Sequence, residues 1–175
     1  VGSIVGFATY PSALVEIKSE WLLSNFESGL IASSFFFGYI LIVPLATTLT
    51  DRIDARRIYI AGTIASMLGS FGMSFLSTGF FSAMTCLILN GAGVSATYMP
   101  GLKILSDRVK QGELTRHISF YTAFFGVGTA LSYFSSGVMI HHFGWRAAFL
   151  VAAFGPFISL LIVLFFVSAK EGEGG

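Results

Sequence analysis

The chain has 175 residues, 54% of them apolar and only 11% charged, with a formal net charge of +1. A soluble domain normally devotes about a quarter of its residues to Asp, Glu, Lys and Arg, so this composition excludes an ordinary water-soluble fold. The near-neutral balance gives no footing for a nucleic-acid partner. The single cysteine, Cys86, leaves neither a disulfide nor a thiolate metal cluster and reads as a small packed hydrophobe.

The few charges gather in short clusters, and the runs between them are long enough to cross about 30 Å of hydrocarbon. That pattern predicts an all-α membrane protein with six transmembrane helices. Residues 1–15 are apolar and punctuated by glycine, but the run is shorter than a span and opens on Val1. The first helix is therefore expected to be truncated, and the chain to be an excerpt. Glu16, Lys18 and Glu20 predict an aqueous loop, with Trp21 as an interfacial anchor. Ser24 and Glu27 have the spacing of a capping box, in which each side chain satisfies a free backbone N–H near the other, so helix 2 opens there and runs to about Thr50. Gly38 and Pro44 lie within it, which neighbouring helices or water make tolerable in a membrane.

The turn that follows, Asp51-Arg-Ile-Asp-Ala-Arg-Arg57, packs two aspartates and three arginines into seven residues. It reads as the hairpin between two spanning helices. Asp54 is placed to cap helix 3, expected from Ala55 to Leu76. No charge occurs from Ile58 to Leu102, too long for one crossing and right for two, with Ser77-Thr78-Gly79 as the turn between them. Helix 4 then covers Phe80 to Ser106. A second polar turn spans Asp107 to Glu113, Thr115 is the expected cap, and helix 5 runs from Arg116 to Ile140. His141-His-Phe-Gly144 is a short turn, and helix 6 runs from Trp145 to Ala169. Residues 1–169 thus form one bundle, and 170–175 the start of a linker.

Placing both charged turns in the cytoplasm collects Arg52, Arg56, Arg57, Arg108, Lys110, Arg116 and Lys170 on that side, against Lys18 and Arg146 on the other. The positive-inside rule then puts both termini in the cytoplasm. Lys103, within a turn of that end of helix 4, reads as reaching for the headgroups. Small residues at four-residue spacing, such as Gly62 with Ser66, Gly91 with Ser95 and Gly128 with Ser132, predict close helix packing. Polar residues at depth are few. Ser3 and Tyr10 share a face of helix 1; Asn90, Thr97 and Gly101 share a face of helix 4, with Tyr98 beside it. They can contact a solute or hydrogen-bond another helix, and the spacing alone leaves both open. Adjacent His141 and His142 do not share a helix face, so a solvated turn is the better reading than a metal site. No cofactor is expected.

Gly38-Tyr39 and Pro44, followed by Thr47-x-x-x-Asp51-Arg52-x-Asp54-Ala55-Arg56-Arg57, resemble the hallmark turn of the major facilitator superfamily, Gly-x-x-x-Asp-Arg-x-Gly-Arg-Arg. Phe143-Gly-Trp-Arg-x-x-Phe149 resembles the opening of that family's helix 6. Thr47 and Asp54 stand where the family has glycine, and Ala55 replaces a basic residue. The resemblance covers the whole chain as an N-terminal half and implies six helices arranged as two three-helix repeats. It implies a secondary transporter of the plasma (bacterial inner) membrane, whose partners are lipid, a small solute and a second six-helix half. It assigns Asp51, Arg52, Arg56 and Arg57 to a gating turn in which the aspartate meets the positive N-terminal end of a helix from the other half. It also places helices 1 and 4 against the central cavity, which makes Tyr10, Asn90, Thr97 and Tyr98 the candidate solute contacts.

The family's helix 4 arginine is absent from Leu87-Ile-Leu-Asn90-Gly91, and Gly126-Val-Gly128-Thr-Ala-Leu-Ser132 lacks the antiporter proline. The alternative is a six-helix module without transport, binding a partner or homodimerising. An enzyme is disfavoured, because no cluster of His, Asp or Glu lies at membrane depth.

Overall fold

The computed structural model describes residues 2–4, 6–107, 109 and 112–166, leaving aside the side chains of Ser3 and Phe166. A 3-10 turn, Gly2–Ile4, precedes six α-helices: α1 (Thr9–Glu20), α2 (Asn25–Leu49), α3 (Ala55–Phe75), α4 (Phe80–Ser106), α5 (Leu114–Phe143) and α6 (Trp145–Phe166). Helices α2 to α6 are long and apolar enough to cross a membrane. With 12 residues, α1 reaches only about 18 Å. The chain is an integral membrane protein whose described residues form an all-helical bundle.

Local chemistry sets most boundaries. Ser24 and Glu27 form the capping box that opens α2, the Glu27 carboxylate accepting from the Ser24 N–H at 2.8 Å and the Ser24 hydroxyl from the Glu27 N–H at 3.2 Å. Asp54 caps α3 by accepting from the Arg56 N–H at 2.9 Å. The Ser77–Gly79 turn separates α3 from α4, which occupies the expected span from Phe80 to Ser106.

Three expectations are corrected. Glu16, Lys18 and Glu20 belong to α1 and not to a loop, because Ala13 and Ile17 bury one face while Glu and Lys, both good helix formers, occupy the others. Thr115 is no cap: α5 begins at Leu114, and Glu113 instead pairs with His117 one turn on at 3.8 Å. His141 and His142 form the last turn of α5, which ends at Gly144, whose positive φ of 81° glycine adopts without strain. Ser3's side chain, the far end of helix 6, the linker at 170–175, and Arg108 and Lys110 lie outside the described residues.

In the packing, α4 is sandwiched between α2 and α3; α3 also rests on α6, α6 on α5, and α5 on α1. The α3–α4 seam is built of small residues. A Cβ on Gly62 would meet the Ala96 side chain at 2.7 Å, and one on Gly93 would strike the α3 backbone at Ser66. Gly128, Ser132 and Ser136 play a similar part for α5. The Ser132 hydroxyl accepts from the Ala8 N–H at 2.9 Å and Ser136 donates to Thr9 Oγ1 at 3.0 Å, satisfying polar groups where the first helix begins. Tyr10, Ile17, Ile31, Phe35, Met73, Leu87 and Phe149 form the buried apolar core. Helices α5 and α2 bury the smallest share of their length. They leave rows of large side chains uncovered, among them Phe36, Phe37 and Ile40 on α2 and Phe120, Phe124 and Leu131 on α5.

Candidate functional site

The charged turn between α2 and α3 is held on three sides. Asp51 Oδ1 lies 2.9 Å from the Lys103 ammonium, which comes from the last turn of α4. Lys103 therefore gives its charge to the turn, where the sequence suggested only headgroups. Arg56 reaches across to α6 and donates to the Leu164 carbonyl at 3.3 Å, close to the helix C-terminus where a cation is favoured. Asp54 closes the third side through its cap on α3. Arg52 and Arg57 are exposed. The Asp51 carboxylate is 74% exposed, so its ion pair leaves an open flank on the acid.

The four polar candidates of α1 and α4 do not converge on one point. Tyr10 donates its hydroxyl to the Ser28 carbonyl at 3.1 Å and ties α1 to α2. Asn90 is buried against α3, its amide donating to the Ser66 carbonyl at 3.1 Å and to Ser70 Oγ at 2.7 Å. The Asn90 carbonyl oxygen has no hydrogen-bond partner. Thr97 is buried and bonds back to the Val94 carbonyl in its own helix. Tyr98 is half-buried and turns toward α5, its ring 5.4 Å from Tyr121 and 5.9 Å from Phe125, while its carbonyl accepts from the Tyr121 hydroxyl at 3.0 Å.

That last contact opens onto a feature the sequence reading missed. Rings from three helices and the segment ahead of α1 touch in series: Phe35 of α2, Phe7 ahead of α1, Phe125 of α5, Tyr98 of α4 and Tyr121 of α5, with centroid separations between 5.4 and 5.9 Å. The Tyr121–Phe125 spacing on one helix face was the available signal. Nothing pointed to α1 and α2 as the source of its neighbours.

The opposite end of the bundle is laced by a second cluster. Glu20, at the end of α1, accepts from the Trp145 indole N–H at 2.6 Å and lies 3.6 Å from the Arg146 guanidinium. Arg146 also donates to the Ser74 and Ser77 carbonyls at the end of α3, at 3.1 and 3.2 Å, and stands over the Trp145 ring at 4.4 Å. Trp21, expected to anchor in the interface, packs edge-on against Trp145 at 5.4 Å. Glu20 and Trp145 are 125 residues apart, so no local spacing could have joined them. No group of three or more metal-ligating side chains occurs among the described residues.

The family model described as Major Facilitator Superfamily matches residues 1–175. Protein spinster homolog 3 of Danio rerio is 27% identical over 163 residues, 91% of this chain and 32% of that protein. The riboflavin transporter RibZ of Clostridioides difficile is 25% identical over 155 residues, 86% of this chain and 32% of its own length. The uncharacterized MFS-type transporter YwoD of Bacillus subtilis is 27% identical over 166 residues, 93% of this chain and 36% of its own. The chain spans about a third of the length of these curated relatives.

Proposed function

The chain belongs to the major facilitator superfamily, and from that premise we propose that it forms one six-helix half of a secondary transporter moving a small solute by alternating access. The observation that carries this reading is the uneven burial of the bundle. Helices α3 and α4 are well covered, whereas α2, α5 and α6 expose rows of large apolar side chains, of which those on α2 and α5, the least buried helices, suit a second bundle. Exchanging α1–α3 for α4–α6 also maps the contacts onto one another, since α2 on α4 corresponds to α5 on α1, α3 on α4 corresponds to α6 on α1, and α3 on α6 to itself. That correspondence favours two three-helix repeats. Transport of riboflavin by one relative, as its name states, fits a small organic solute here.

In this mechanism the solute sits between the two bundles, against α1 and α4, with the half-buried Tyr98 as the polar ring nearest it and Tyr10, Asn90 and Thr97, bonded within the bundle, setting the positions of the helices behind. Hydrogen bonds to the solute strengthen when the cavity closes and water leaves. Asp51, Arg52, Arg56 and Arg57 form the gate on the side of the charged turn. Asp51 has two partners of similar worth: an exposed ion pair contributes about 0.2–1 kcal/mol, and a carboxylate at a helix N-terminus about 0.3–2 kcal/mol. Exchange between Lys103 and a helix of the second bundle is then nearly balanced, as a gate that opens on every cycle requires. The excess of cations supports a cytoplasmic position for this side and for both termini; the plasma membrane is part of the same proposal. No step is catalytic.

The test is uptake by the intact protein in liposomes, with riboflavin and related solutes, with and without a pH gradient. Saturable uptake that Asp51→Asn and Tyr98→Ala both impair supports the reading. Absence of uptake together with a stable six-helix homodimer overturns it.

A further inference from the structure

The stretch of α4 from Tyr98 to Lys103 carries the ring proposed to face the solute at one end and the cation that pairs with Asp51 at the other. Pro100 and Gly101 lie between them. Pro100 has no amide to offer the Ala96 carbonyl, and glycine is the poorest helix former after proline, so α4 is softest where the two functions adjoin. Side chains from two other helices close on that soft point. The Tyr121 hydroxyl of α5 donates to the Tyr98 carbonyl at 3.0 Å, and its phenol covers Gly101 so closely that an added Cβ would stand 2.6 Å from Oη. Tyr59 of α3 covers the same glycine, its Cε2 lying 3.3 Å from that Cβ position.

A phenylalanine at this position would fill the space over Gly101 equally well; the hydroxyl adds a directional hold on the backbone. The carbonyl it takes lies two residues before Pro100, and Lys103 lies three residues after it. Because α4 and α5 otherwise touch little, this bond is placed to decide how α4 lies on α5 at the level of the proline. We propose that Tyr121 is a positioning residue for the gate: its bond to the Tyr98 carbonyl fixes the bend of α4 at Pro100–Gly101 and keeps the Lys103 ammonium within reach of Asp51. This rests on the reading of Asp51 and Lys103 as a gate. One bond then sets both the ring nearest the solute and the cation of the gate, so a solute that shifts Tyr98 shifts Lys103 with it.

The test uses the intact protein carrying Ile53→Cys and Cys86→Ser, labelled by a membrane-impermeant maleimide from the Asp51 side. Ile53 is exposed in the charged turn, which closure covers, so the labelling rate reads the gate without any solute. Tyr121→Phe should lower that rate about threefold, the average worth of one interhelical hydrogen bond in membranes, and in the same direction as Lys103→Gln. In the Lys103→Gln background it should change nothing further, since both variants act on one pair. Thr122→Val, which removes a neighbouring hydroxyl bonded to the Ile118 carbonyl of its own helix, should leave the rate as it is. A purely structural role for the Tyr121 hydroxyl gives instead a lower unfolding temperature and an unchanged labelling rate. That result, or effects of Tyr121→Phe and Lys103→Gln that add, overturns the proposal and leaves the gate standing. A Lys103→Gln variant that labels as the parent does overturns the gate and this proposal together.

Discussion

Asp51 and Lys103 form an ion pair, Oδ1 to Nζ at 2.9 Å, that fastens the turn after α2 to the last turn of α4. Because the aspartate is largely exposed, the pair adds little to folding, about 0.2–1 kcal/mol. Its weight falls instead on which partner Asp51 holds. Lys103→Gln frees the carboxylate for a helix N-terminus and should shift the protein toward closure on this side; Asp51→Asn should shift it toward opening. Cysteine labelling from each face, measured on both variants, checks the opposite signs, and equal labelling of the two would count against the gate.

Asn90 joins α4 to α3 through two donated hydrogen bonds. Asn90→Leu should lower stability by about 0.6–2 kcal/mol, in the range of interhelical bonds in membranes. Asn90→Asp should cost more, because a buried carboxylate only accepts and, although the Ser70 hydroxyl can turn to donate to it, it would face the Ser66 carbonyl oxygen unpaired. Thermal unfolding in detergent reads both. A selective rise in KM with unchanged unfolding would instead place this amide on the solute.

The Gly62–Gly93 seam leaves no room for a side chain. Gly93→Leu should destabilise by about 1–3 kcal/mol or more, through forced separation of α3 from α4. Gly126→Leu on α5, where an added Cβ meets nothing within 4 Å, should be tolerated by the isolated bundle. Size-exclusion profiles and unfolding temperatures of the two variants separate these outcomes.

Glu20 accepts the Trp145 indole and faces Arg146 across the rim. Glu20→Ala should release the indole bond and the Arg146 ion pair while the carbonyls of Ser74 and Ser77 still hold the guanidinium. The expected readout is a red shift in the Trp145 contribution to fluorescence, with a loss of roughly 1–3 kcal/mol in stability. An unchanged spectrum would show that the indole does not rely on this carboxylate.

What could be read in advance follows the range of the interactions. The starts of α2 and α3 were legible because Ser24, Glu27 and Asp54 act within three residues of themselves. The α3–α4 turn was legible because a bilayer limits how long an uncharged run can stay in one helix. The extension of α1 through Glu20 was not, since alternating charges mark water without saying whether the backbone there is coiled. The residues of the charged turn were recognisable as a motif, but the partner of Asp51 lies 52 residues on, and no periodicity connects them. Tyr98 was visible as a polar ring at depth; that it faces α5 depends on how α4 is rotated between α2 and α3, which only packing decides.

The prolines bear on how such a bundle would move. Pro44, Pro100 and Pro156 sit inside α2, α4 and α6, the three helices that run toward the Asp51 end. Each removes the amide that would have bonded the carbonyl four residues earlier, at Ile40, Ala96 and Ala152, and so softens its rod at that level. The far rim is riveted through Glu20, Trp145 and Arg146. A laced rim at one end and three softened rods toward the other make the Asp51 end the more pliable part of this bundle.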